Sequence, residues 1–202
     1  FFEKTRKHKP NTSELAYANV LRFAEEVEIM FGRDELSRMI KEKLNNDMML
    51  PSDVHMQLLT LPWKNVYTTN YDTLLERAAS SLSEQGRRIY SIIRNDEAIG
   101  METPPFLMKL HGDINDAQSI IITEEDYRTY SAKHQAMINH VRNAIMMDTM
   151  VLIGFSGNDP NFLQWLGWVR DALKNNQRKV YLLSVDSMSA AAKITFEKKN
   201  VV

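Results

Sequence analysis

Three polar turns hold the chemistry this sequence can offer. They are Thr68-Thr69-Asn70-Tyr71-Asp72, His111-Gly112-Asp113, and the stretch from Gly154 through Phe155-Ser156-Gly157-Asn158-Asp159 to Pro160. An Asn and an Asp at the end of a strand can hold sugar hydroxyls and an amide; read structurally, Asp72 is a helix N-cap and Asn70 a turn residue. His111 follows the apolar run FLMKL; histidine is the residue type whose unperturbed imidazole changes charge near neutral pH, which suits it to proton transfer, although a lone His is often structural. Gly112 beside it permits close approach of a ligand or an unusual backbone angle. The third turn is glycine-rich and feeds a helix, so its backbone N–H groups and the positive end of the helix dipole suit a pyrophosphate. Its structural alternative is a capped turn in which Ser156 or Asp159 satisfies the helix, and it lacks the lysine of a P-loop.

The elements that must position these turns follow from periodicity. Apolar residues at helical spacing predict a helix over Asn11 to Phe31, capped within Asn11 to Ser13. A second follows Gly32, with Asp34 as cap and Leu36, Met39, Ile40 and Leu44 on one face. A short third begins near Pro51 and carries Val54, Leu58 and Leu59. From Val66 the pattern alternates: VYTT, a helix ending at Gly86, IYSII, FLMKL, SIIIT, a helix over Glu124 to Met147, MVLIGF, the helical PNFLQWLGWVRDALK, and VYLLSV. Strands alternating with helices predict an α/β fold, a doubly wound Rossmann-like parallel sheet, with ligands bound where loops converge at the carboxyl ends of the strands. Residues 1–60 read as a helical segment of the same domain and residues 61–202 as its Rossmann-like core.

Composition sets the remaining bounds. Twenty-five Lys plus Arg nearly cancel 26 Asp plus Glu, giving a formal charge of -1, so no footprint for nucleic acid or an anionic membrane is visible. The basic Lys4, Arg6, Lys7 and Lys9 read as a solvated end. The absence of Cys excludes disulfides, thiolate catalysis and a Cys-based zinc site within these residues, and fits a cytoplasmic protein. No apolar run approaches the roughly 20 residues that span a bilayer. The start at Phe1 without Met predicts a piece of something longer. His8, His55, His134 and His140 lack metal-ligand spacing, and no metal is expected. Trp165 and Trp168 read as packing residues, Glu124 to Asp126 as the acidic first turn of a helix, and Met146, Met147 and Met150 as core.

Taken in order, VYTTNYDTLLERAA, FLMKLHGDI, IITEEDY and VLIGFSGNDPNF resemble the sirtuin-like family, especially its prokaryotic antiphage-defence branch, over roughly Leu61 to Asp186. The resemblance implies binding of NAD and cleavage of its nicotinamide glycosidic bond. It implies that Asn70 binds the nicotinamide ribose and orders the catalytic water, and that His111 acts on the same ribose as base or hydrogen-bond partner. Thr69, Asp72, Gly154, Ser156 and Asn158 would bind NAD, Asp72 approaching the carboxamide and Gly154 with Ser156 the phosphates. Two departures qualify it. Sirtuins open with a Gly-Ala-Gly phosphate loop, whereas Gly32 is the only glycine before Asn70; the loop is expected upstream. The four-Cys zinc lobe of protein deacylases cannot form here, which makes water the expected acceptor. The resemblance further implies a homo-oligomer whose full-length form carries a sensor for a phage-derived trigger. A non-catalytic nucleotide-binding module and an ADP-ribosyl or deacyl transferase stand as alternatives.

Overall fold

The computed structural model describes residues 17–155, 159–184 and 188–202, with nothing stated of the side chains of 17–19. The chain divides into two compact units, Phe1–Lys133 and His134–Val202. The first unit begins with α1 (Tyr17–Phe31), α2 (Arg33–Leu44) and α3 (Asp53–Thr60). Gly32, with φ 85°, makes the sharp exchange from α1 to α2 and is itself the N-cap. Asp34, expected as that cap, is the second residue of the helix, where its charge favours the first turn. Ala24, Val27, Leu36 and Met39 form a small core between α1 and α2. On α3, Leu59 is buried but Val54 is exposed, so the apolar face is narrower than its composition suggests. The expected caps at Asn11 to Ser13 lie outside the described residues.

The α/β part of this unit runs β1 (Val66–Thr68), α4 (Leu74–Glu84), β2 (Ser91–Ile93), the short α5 (Asp96–Ile99), β3 (Phe106–Lys109) and α6 (Glu124–Lys133). All three strands are parallel in the order β1-β3-β2, with Thr68 opposite Lys109 and Ile93 opposite Met108. A parallel sheet demands apolar strands with covered faces. Every residue of β3 is buried, and Leu107 joins Leu59, Ala78, Ala79, Leu82 and Tyr90 in the core under α3 and α4.

The second unit holds α7 (Gln135–Met147), β4 (Met150–Ile153), α8 (Pro160–Leu173), β5 (Val180–Leu183) and α9 (Ala190–Glu197). Here β4 and β5 pair in parallel, and β5 bridges to Val201. The described strands thus form two hydrogen-bonded sets, each parallel, where the sequence suggests one continuous sheet. The helix expected over Glu124 to Met147 breaks at His134, whose ψ of 47° is not helical. Trp165 is buried as expected. Trp168 is 44% exposed beneath Arg142, a cation–π pair, and Met147 is also exposed, so neither is core. Among the described residues no helix is long and apolar enough to cross a membrane.

The run SIIIT is not a strand; it closes a series of turns from Asp113 to Ser119. Its backbone groups are satisfied by side chains of other elements, two of them distant in sequence, and by one backbone bond from Ile121 N to His111 O, instead of a ladder. Arg33 donates to the carbonyl of Ile120, the Tyr71 hydroxyl to that of Ile121 (2.7 Å), and the Asp126 carboxylate accepts from the amides of Ile122 and Thr123, both at 3.0 Å. Arg33 also reaches Ala117 O, Glu28 and Asp126, tying the run to α1, α2 and α6 at once. Gly112 is required on the other side of the turn: its φ is 88°, and a Cβ there would sit 2.1 Å from the Ser119 carbonyl oxygen. The close approach that this glycine permits is that of the chain's own backbone.

Two outcomes follow. Gly112→Ala meets both a positive φ and immovable backbone, and urea denaturation should show a loss on the order of 3 kcal/mol; a loss below about 1 kcal/mol would contradict this geometry. Burial pushes the Asp126 carboxyl up, but the amides of Ile122 and Thr123 and the Arg33 guanidinium outweigh it and hold the pKa below the ordinary value. A depressed folded-state pKa means that the unfolded chain binds more protons, so this stabilisation is complete above about pH 4 and lost as pH falls through the folded value. Urea midpoints measured from pH 6 downward should therefore decline less steeply in Asp126→Asn than in the parent below about pH 4.

Candidate functional site

The turns after β1 and β3 leave neighbouring parallel strands at the same carboxyl edge, as the alternation of elements requires. They are joined where the strands end: the Leu110 amide donates to Thr68 O at 2.8 Å, two residues before Asn70 and one before His111. A second backbone bond, Ile114 N to Tyr71 O at 2.9 Å, ties the far sides of the two turns. Asn70 is exposed, its amide N–H donating to Thr68 Oγ1 at 3.1 Å, so a hydroxyl from the preceding strand sets the direction of the turn. Thr69 is partly buried beside it.

His111 is 3% exposed. Its ring meets Tyr127 and Tyr130 edge to face, at centroid distances of 5.4 and 6.0 Å, and Nδ1 lies 3.5 Å from the Tyr127 hydroxyl. The backbone is equally fixed, with His111 O accepting from Ile121 N at 3.0 Å and Leu110 O from the Tyr130 hydroxyl at 2.7 Å. The imidazole is thus oriented by two tyrosines on α6, the helix whose first turn Arg33 anchors.

Beneath both turns lies a charged cluster that sequence reasoning passed over. Lys109, 1% exposed, ends β3 and donates to Tyr71 O (3.1 Å) and Asp72 O. Its ammonium lies 2.6 Å from Glu76 Oε1, an ion-pair contact without hydrogen-bond alignment, and 3.7 Å from Asp113 Oδ2. Arg94 donates to Asp113 at 2.9 Å, so two cations and two carboxylates balance. For Asp113 burial acts upward most strongly, yet the Asn115 amide, the Arg94 hydrogen bond and the Lys109 charge together hold its pKa below the ordinary value. Asp113 therefore belongs to the scaffold of the turn.

Asp72 accepts from Leu74 N at 3.0 Å through Oδ1, closing the entry to α4, whose N-cap is Thr73. One of its oxygens is thus engaged in a structural bond, with Asp72 one residue ahead of the N-cap it is expected to be. The amide of Thr73 itself is received by the buried Asn46, a residue without any distinguishing sequence signal.

In the second unit, Gly154 follows β4 with φ 63°, and no atom of the described residues lies within 4 Å of where a Cβ would stand. Ser156 and Asn158 lie outside the described residues. Asp159 caps α8, accepting from Phe162 N at 2.9 Å, with Pro160 at the first helical position. Its carboxylate occupies one first-turn donor and partly offsets the helix dipole. Asn161, 5% exposed with Nδ2 lacking a hydrogen-bond partner among the described residues, is a further polar group at this helix start. Nothing in its sequence position distinguishes it from a second turn residue.

Residues 64–202 match the model of the SIR2-like domain. The chain is 28% identical over 156 residues to an NAD(+) hydrolase ThsA of Enterococcus faecium, covering 75% of this chain and 32% of that protein. It is 27% identical over 152 residues to the ThsA of Bacillus cereus, covering 75% and 32% respectively. It is 28% identical over 137 residues to Defense-associated sirtuin 2 of Bacillus subtilis, covering 66% of this chain and 13% of that protein. The chain thus spans about a third or less of the curated relatives it matches. A model covering well over half of the chain, on the same residues that carry the turns after β1, β3 and β4, is decisive: this protein belongs to the SIR2-like family.

Proposed function

We propose that this chain is the NAD-binding and cleaving part of a bacterial antiphage-defence protein, an NAD glycohydrolase releasing nicotinamide and ADP-ribose. The observation that carries the reading is the pairing of β1 with β3, which sets the Asn70 and His111 turns side by side at one sheet edge. Relatives named NAD(+) hydrolase and defense-associated sirtuin support it from a second direction. In this reading the helices up to residue 60 and the remainder form one doubly wound domain without a zinc lobe, working in the cytoplasm as a homo-oligomer.

Hydrolysis breaks the bond between ribose C1′ and the pyridinium nitrogen. The bonding electron pair leaves with nicotinamide, which becomes neutral, and positive charge develops on the sugar as an oxocarbenium ion. Water then bonds to C1′ and gives up a proton. A good leaving group makes a strong protein nucleophile unnecessary; orientation and polar contacts that strengthen as charge develops suffice. Asn70 supplies an amide that holds the ribose and orients the water. His111 faces a ribose hydroxyl or accepts the proton the water loses, its ring fixed by Tyr127 and Tyr130. Thr69 and Asp72 line the nicotinamide end, the latter through the oxygen not given to Leu74. Gly154, Ser156 and Asn158 receive the phosphates, Gly154 by its positive φ and lack of a side chain.

The burial of His111 favours one further reading, a module that binds NAD without cleaving it, because an imidazole 3% exposed is placed as a packing group is. The two separate on nicotinamide release from NAD by the full-length protein. The hydrolase predicts turnover that falls on the order of 100-fold or more in Asn70→Ala and in His111→Ala. Turnover surviving both substitutions removes the assignment; ligand-induced thermal stabilisation without any product supports the binding module. An etheno-NAD label that ends on protein would show a transferase instead.

A further inference from the structure

The IITEEDY run supplies none of the residues assigned to NAD above, yet it delivers a hydroxyl to the imidazole on which that assignment relies. Asp126 is fixed by Arg33 and by the amides of Ile122 and Thr123, so Tyr127 enters α6 from a set position. Tyr127 and Tyr130 are three residues apart and share one face of the helix, the face that meets His111 at 5.4 and 6.0 Å. The two are not equivalent. Tyr130 is buried and donates its hydroxyl to Leu110 O at 2.7 Å, much as Tyr71 donates to Ile121 O; both bonds go to carbonyls and serve the backbone. Tyr127 is half-buried, and its hydroxyl lies 3.5 Å from His111 Nδ1, a nitrogen able to take a proton.

The burial of His111 gives this contact its weight. The residue is 3% exposed and its Nε2 is closed to solvent, which leaves Nδ1, the nitrogen at the Tyr127 hydroxyl. Edge-to-face packing accounts for an aromatic ring at 127 but not for its hydroxyl, since Phe would make the same contact without desolvating a polar atom. At 3.5 Å the pair stands at the outer limit of a hydrogen bond, a separation common in catalytic pairs before substrate tightens them.

We propose that Tyr127 is a catalytic residue, the group through which His111 acts: its phenol oxygen meets the attacking water, and the imidazole behind it takes the proton. This deepens the hydrolase reading and rests on it. As the water oxygen bonds to ribose C1′, one water proton passes to the phenol oxygen while the phenol proton passes to Nδ1. The electron pair of the breaking C1′–N bond leaves with nicotinamide. Tyr127 ends neutral, as it began, and His111 ends as imidazolium, which returns its proton to solvent by the same route. A phenol alone is a poor base near neutral pH; an imidazole that removes one proton as another arrives overcomes that weakness.

The test is a double-mutant cycle on nicotinamide release by the full-length protein, using Tyr127→Phe, His111→Gln and the pair. Phe keeps the ring contact, so Tyr127→Phe should retain the parent's thermal midpoint and KM for NAD while kcat falls on the order of 100-fold. Because His111 works only through the phenol, adding His111→Gln to Tyr127→Phe should lower kcat by no more than about a further 3-fold. Should His111→Gln not fold, His111→Asn takes its place, and the kcat loss at constant KM in Tyr127→Phe is read without either. A Tyr127→Phe kcat within about 3-fold of the parent, or a double variant reduced by the product of the single losses, would overturn the proposal while leaving the hydrolase reading intact. A parent that releases no nicotinamide would end both.

Discussion

A single buried ammonium governs the arrangement of this molecule's polar turns. Lys109 ends the central strand of its sheet with 1% of its surface exposed, a position that a lone charge could not hold. It holds it because the carbonyls of Tyr71 and Asp72 come from one turn, Asp113 from the other, and Glu76 from the helix between them. Desolvating these groups is costly, and such a network is weak evidence of added stability; what it supplies is a fixed relation between parts that are distant in sequence. Removing either carboxylate or the lysine would leave an uncompensated charge, so the turns cannot shift independently without exposing it.

Around this centre the fold uses a second cation in the same manner. Arg33 reaches Glu28, Asp126 and the carbonyls of Ala117 and Ile120, and so binds the outer side of the loop whose inner side Asp113 holds. Between the two anchors, Gly112 lets the chain fold back onto Ser119, and Tyr127 and Tyr130 close over His111. The imidazole is positioned by Tyr127, by Tyr130 and by the backbone bond that its own carbonyl accepts from Ile121. That is the form of support a precisely oriented group needs, since a small displacement forfeits much of its contribution.

The strands and most helices were legible because their signals are local. Alternating apolar runs, each ending in a polar turn, placed β1, β3 and β4 within a residue or two, and parallel pairing then put the first two turns together. What was not legible depended on distant partners. SIIIT has the composition of a strand, but its carbonyls are met by Arg33 and Tyr71, 87 and 50 residues away, and no local window of sequence reveals such a substitution for a ladder. Lys109 sat within FLMKL as an ordinary interruption, although its partners Tyr71, Asp72 and Glu76 all lie more than 30 residues away. Gly112 was singled out correctly as a position needing freedom; that the neighbour is Ser119 emerges only from the folded chain. Capping rules miss by two residues at Asp34, where Gly32 is the N-cap, and by one at Asp72, where Thr73 is.

The claim that one buried cation fastens both turns is tested most directly by residue-resolved amide hydrogen exchange in the parent and in Lys109→Met. The amides to follow are Leu74, bonded to Asp72, and Ile114, bonded to Tyr71, with those of β2 as internal reference. If the account is right, both lose protection together by at least about 10-fold relative to β2. Unchanged protection, or a loss confined to one turn, would contradict it.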